Sequence, residues 1–109
     1  MDEMIRRLTD AGGRRWQKGA MDRVYFNADA IMELIEFCVS YYKTGNVCSA
    51  SIAGDRISNS SARQYLGDLE NSKFWVDLAD GSIHVKRAYR ASDHIIDLAT
   101  DAIEKVAEA

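Results

Sequence analysis

Residues 74–86 alternate apolar and polar side chains on both sides of an Asp80-Gly81 turn. That alternation puts Phe74, Val76, Leu78, Ile83 and Val85 on one face of a hairpin, and Trp75, Asp77, His84 and Lys86 on the other. Strands joined by a tight turn must be antiparallel, because a parallel pair needs a crossover of about a dozen residues. Two further segments repeat the pattern. Residues 14–18 and 23–27 flank Gly19-Ala20-Met21-Asp22, and residues 47–52 and 56–58 flank Ala53-Gly54-Asp55. Helical spacing fills the intervals. Met4, Ile5 and Leu8 mark a helix over 2–11, stopped by Gly12-Gly13. Ile31, Leu34, Ile35, Cys38, Val39 and Tyr42 mark a central helix over 28–43, with Asn27 as its N-cap. Ala62, Tyr65, Leu66 and Leu69 mark a third over 62–70, opened by a Ser61/Gln64 capping box. Ile95, Ile96, Ala99, Ala102, Ile103 and Val106 mark a last one over 93–108, capped by Ser92. The expected class is α+β: a small, mainly antiparallel sheet of hairpins alternating with helices, plus an amphipathic C-terminal helix. Residues 1–91 form the expected compact domain, and residues 92–109 add the last helix.

With 109 residues, such a domain can bury a core without metal or disulfide staples. Apolar residues make up 47% and charged residues 28%, which excludes a disordered tail, a collagen-like chain and a disulfide scaffold. There is no proline, so turns fall to Gly, Asn, Asp and Ser. Cys38 and Cys48 are too few for a zinc site, and Cys38 is expected to be buried on the central helix. No stretch is apolar enough to span a membrane. The acidic start is unlike a signal peptide, so the expected location is the cytoplasm. No phosphate-binding loop, dinucleotide glycine pattern, nucleophile elbow or metalloprotease motif is present. His84 and His94 have no partner in sequence that would make either a catalytic base. The expectation is a protein that is not an enzyme and takes no cofactor or metal.

Charge is distributed unevenly. Residues 1–23 hold six basic and four acidic groups, and residues 92–109 hold Lys105 against five acids, within a net charge of −3. Arg14, Arg15, Lys18 and Arg23 alternate with Trp16 and Tyr25, a mixture that single-stranded nucleic-acid binders use. The acidic whole argues the other way. In the first hairpin Trp16, Val24 and Phe26 are expected to face inward, and Arg15, Arg23 and Tyr25 to face solvent. The last helix has two expected uses, capping the sheet or pairing with its copy in a homodimer. Its acidic polar face argues against a membrane-surface role, since anionic lipid would repel it.

Three stretches carry a resemblance: residues 11–18 (Ala-Gly-Gly-Arg-Arg-Trp-Gln-Lys) with 22–27 (Asp-Arg-Val-Tyr-Phe-Asn), residues 42–50 around Lys43-Thr44-Gly45-Asn46, and residues 57–63 with Ile57-Ser58-Asn59-Ser60. Together they resemble small proteins of bacterial phages and mobile elements, over about residues 8–87. The resemblance implies an accessory role, interference with a host defence such as CRISPR. Glycines, caps and sheet residues explain much of the shared pattern, but the cations are not needed for folding. Arg14, Arg15, Lys18, Arg23, Tyr25, Lys43 and Arg63 are therefore the expected partner-binding residues. The first functional expectation is an inhibitor that occupies a surface of a host protein or ribonucleoprotein complex, with Trp75 and Tyr89 as further anchors. The alternative is a nucleic-acid-binding regulator that uses the N-terminal basic hairpin. A third is a protein acting on a phosphorylated small molecule held in a cleft ringed by the same cations.

Overall fold

The computed structural model describes residues 2–41 and 47–109. In chain order the elements are α1 (Asp2–Asp10), β1 (Arg14–Lys18), β2 (Met21–Phe26), α2 (Ala28–Leu34), β3 (Phe37–Tyr41), β4 (Val47–Ile52), β5 (Asp55–Arg56), α3 (Asn59–Asn71), β6 (Lys73–Asp77), β7 (Ile83–Lys86) and α4 (Asp93–Glu108). The class is α+β, with two antiparallel sheets. One has the order β1-β2-β6-β7 and the other β3-β4-β5.

The larger sheet unites the first and last hairpins through β2 and β6. Val24 lies opposite Val76 and Phe26 opposite Phe74. These four side chains and Leu78 are buried on the inner face. The helices cover them there with Leu8 of α1, Ile31 of α2, Leu69 of α3, and Ile95, Ile96, Ala99 and Ile103 of α4. The stripe of α4 is thus buried within its own chain. Two groups fasten this helix at its ends. The buried Asp68 of α3 accepts the Ser92 backbone N–H at 2.9 Å. Arg7 of α1 donates to the carbonyls of Val106 (3.2 Å) and Ala107 (2.7 Å), which the helix itself leaves unpaired. Ser92 occupies the N-cap position, but its hydroxyl makes no capping bond. None of the described helices is long and apolar enough to cross a membrane.

The expected central helix over 28–43 is corrected. Asn27 caps α2 as expected, its side chain accepting from Ala30 N at 2.8 Å. The helix ends at Leu34, and Glu36 takes a positive φ of 56°. Phe37–Tyr41 then runs as a strand against β4. Over so short a run, apolar residues fit a helical stripe and a strand face equally well. The pairing with residues 47–52 decides it. Cys38, placed by that error on a buried helix face, is exposed on β3. The end of the expected helix and its Lys43-Thr44-Gly45-Asn46 stop lie outside the described residues. The third helix starts one turn earlier than its Ser61 cap would have it. Ser58 is the N-cap, and its hydroxyl accepts from Ser61 N at 3.1 Å.

Gly12 and Gly13 close α1 in different ways. Gly12 adopts a φ of 98°, where a side chain is strained. Gly13 is needed for space, since a Cβ there would stand 2.5 Å from Val24 Cγ1 and 2.8 Å from Leu8 O. Gly13→Ala should therefore overpack the α1–β2 contact and destabilise the fold by about 2 kcal/mol. Urea unfolding of both proteins measures this, and an unchanged midpoint would contradict it.

Candidate functional site

Side chains of antiparallel strands alternate between faces, and directly opposed residues share one. The outer face of the larger sheet follows from the register. Arg14 lies opposite Tyr25, Trp16 opposite Arg23, and Lys18 opposite Met21. Across the central pairing, Arg23 lies opposite Asp77 and Tyr25 opposite Trp75. Trp75 in turn lies opposite His84, and Lys73 opposite Lys86. Among the described residues, the helices bury their apolar side chains against the opposite, inner face.

Four rings form a row across all four strands. Trp16 meets Tyr25 edge-on at 6.1 Å between centroids, Tyr25 meets Trp75 at 5.7 Å, and Trp75 stacks on His84 at 5.5 Å and 11°. Such pairs stabilise one another beyond the area they bury. The Arg23 guanidinium sits 5.1 Å over the Trp75 ring and donates to Tyr25 Oη at 3.0 Å. Its Nε is covered and has no acceptor, an arrangement that folding alone disfavours. His84, stacked on one face by Trp75, is also held at its edge. Its Nε2 lies 2.7 Å from Ser82 Oγ, which donates to Asp80 Oδ1 at 2.6 Å. The Ser82 hydroxyl, with the Ser82 backbone N–H, keeps the Asp80 carboxyl below its ordinary range.

Cations border the row. Arg14, Lys18, Lys73 and Lys86 are exposed and, among the described residues, make no ion pair. Lys73 and Lys86 stand directly opposite each other, a like-charge pairing that weakens a sheet. Asp77 is the one strand-borne carboxylate of this face, against five Arg and Lys. The local charge is thus opposite in sign to that of the chain, −3.

At the end of the sheet where β1 and β6 begin, the face opens into a cleft of about 460 Å³. Arg14, Trp16, Tyr25 and Lys73 line it together with Asn27, Glu70 and Ser72. Among the described residues no cluster of His, Cys, Asp and Glu could hold a metal ion.

Of the residues singled out from sequence, Arg14, Lys18, Arg23 and Tyr25 come together here. Arg15 does not. It shares its side of the hairpin with Val24 and pairs with Asp22 through Nε (3.0 Å) and Nη2 (2.7 Å). Arg63 lies on α3 rather than on a strand of the sheet, and already engages a partner. Lys43 lies outside the described residues. Tyr89 is 89% exposed in the segment between β7 and α4, under the Arg90 guanidinium rather than on the sheet. Trp16 reverses its expected orientation and is 38% exposed on the outer face. The arithmetic of a hairpin explains this. A loop of two or four residues sets an even-numbered position against an odd-numbered one, so Trp16 must share a face with Arg23 and Tyr25, not with Val24. Lys73, His84 and Lys86 were absent from the expected site, although the alternation of the last hairpin already placed His84 and Lys86 beside Trp75.

Comparison with family models, curated proteins and solved structures finds no match.

The Arg15–Asp22 pair should show in acid. The Arg15 hydrogen bond lowers the Asp22 carboxyl below its ordinary value of 3.8. A carboxyl depressed in the folded state stabilises it above the unfolded value, and that contribution is lost as pH falls through the folded one. Stability should therefore drop as pH falls below about 3.8, and Asp22→Asn should remove part of this acid limb. Urea midpoints measured against pH check it, and parallel curves for the two proteins would refute it.

Proposed function

We propose that this chain is a non-catalytic binding protein whose open sheet face takes single-stranded nucleic acid. The supporting observation is the row Trp16–Tyr25–Trp75–His84, bordered by Arg14, Lys18, Lys73 and Lys86, which make no ion pair among the described residues. Aromatic rings on a four-stranded sheet stack unpaired bases, and cations beside them track the phosphates. The outer face is also too broad to enter the major groove of a duplex. Four strands about 4.8 Å apart span about 14 Å, more than a major groove about 12 Å wide.

The site thus extends the N-terminal basic hairpin of the sequence reading to both hairpins. An inhibitory role is compatible with it. A protein from a phage or mobile element that covers the nucleic acid of a host ribonucleoprotein would interfere with it by surface occupation, as the sequence resemblance implies.

Fluorescence anisotropy with a labelled uridine or thymidine oligomer tests the proposal. Affinity should fall steeply with salt, because each neutralised phosphate releases counterions. Trp75→Ala should weaken binding about tenfold or more through lost stacking. Lys73→Gln with Lys86→Gln should reduce the log–log salt slope by about 1.4. Arg15→Gln should leave binding unchanged, because its guanidinium already belongs to Asp22. A flat titration at low salt with the folded protein would overturn the proposal.

A further inference from the structure

The cleft at the end of the sheet has one feature that a simple track for a polyanion would avoid. Glu70, in the last turn of α3, lines it together with Arg14 and Lys73. Among the described residues Glu70 is in an ion pair with neither of them. A carboxylate only accepts hydrogen bonds, so beside a phosphate chain it repels unless something brings N–H donors to it. The lining therefore makes three demands on one occupant. Trp16 and Tyr25 ask for a flat ring, Arg14 and Lys73 for a phosphate, and Glu70 for ring donors. A volume of about 460 Å³ is within the range of sites for small molecules.

A nucleotide meets all three demands, and the bases meet the last to different degrees. Guanine presents two adjacent donors, N1–H and the N2 amino group, on its Watson–Crick edge. One carboxylate can accept both, in the parallel two-bond geometry that makes charge-assisted pairs strong. Cytosine and adenine present one amino donor beside a ring acceptor. Uracil and thymine present a single N–H between two carbonyls, which would face the carboxylate oxygens.

We infer that the cleft is a guanine-nucleotide subsite, with Glu70 as its specificity-determining residue and Arg14 and Lys73 on the phosphate. The inference rests on the strand-binding reading above, and gives that sequence-tolerant face one selective position. The same chemistry is available from a guanosine within a strand or from free guanosine monophosphate, and the test separates them.

Anisotropy is measured on the intact chain with labelled heptauridylate and with the same heptamer carrying one central guanosine. The guanosine heptamer should bind about tenfold more tightly, the lower end of what a two-bond base contact provides. Glu70→Gln should abolish that preference while keeping or raising affinity for heptauridylate, since it removes a repelling charge from an exposed side chain. Equal binding of the two heptamers overturns the subsite and leaves strand binding standing. A preference that survives Glu70→Gln also overturns it. Failure of both heptamers to bind overturns both readings. Competition with unlabelled mononucleotides then settles the source. Displacement by guanosine but not uridine monophosphate supports a site for the free nucleotide. Heptamer preference without such displacement supports a site for a guanosine held within a strand.

Discussion

The pairing of β2 with β6 is the interaction on which the rest of the structure depends. It joins two hairpins that are separated in the chain by α2, the smaller sheet and α3. On the inner side it brings Val24 and Phe26 against Val76 and Phe74, the centre of the core. On the outer side the same register sets Tyr25 beside Trp75 and Arg23 beside Asp77. One set of backbone hydrogen bonds therefore fixes both the apolar layer that holds the helices and the polar layer that faces outward. Strand alternation leaves no freedom to change one without the other, because a slip of one residue would exchange the two faces.

The outer layer shows signs of competing demands. A sheet face selected only for stability would pair its charges across strands. Here Lys73 faces Lys86, Arg23 rests on the Trp75 ring, and an Arg23 nitrogen lacks an acceptor. Exposed ion pairs contribute little to stability in any case, so the missing pairs cost the fold little. They leave the cations available to an external anion. Arg15 is the contrast within the same hairpin: one position along the strand, it lies on the other side and is neutralised by Asp22.

Local patterns were legible where one element could be formed from its own residues. The last hairpin has its expected faces because the Asp80-Gly81 turn and the alternation around it agree. Asn27 and the glycine pair behave as cap and stop for reasons contained within a few residues. The helix expected over residues 37–41 is a strand instead, because Ile35, Cys38 and Val39 suit either period and the deciding strand partner, β4, lies further along the chain. Trp16 was misjudged for a different reason. Its apolar bulk suggested burial, but β1 is an edge strand and all five of its residues are exposed.

The sequence by itself determined the last hairpin with its Asp80-Gly81 turn, the α+β class and the two short rows of aromatic and basic residues, because each depends on neighbours within about one turn of chain. It read β3 as helix, and it placed the first turn over 19–22 and a strand over 56–58 where the structure has β2 from Met21 and β5 at Asp55–Arg56. It did not determine that these rows would become one surface. That outcome needs β2 and β6 to meet across nearly fifty residues of chain, and strand pairing at that distance is chosen by how well the inner faces pack against the helices. Tyr25 and Trp75 are neighbours because Val24 and Val76 are buried together, a choice that only the folded core makes.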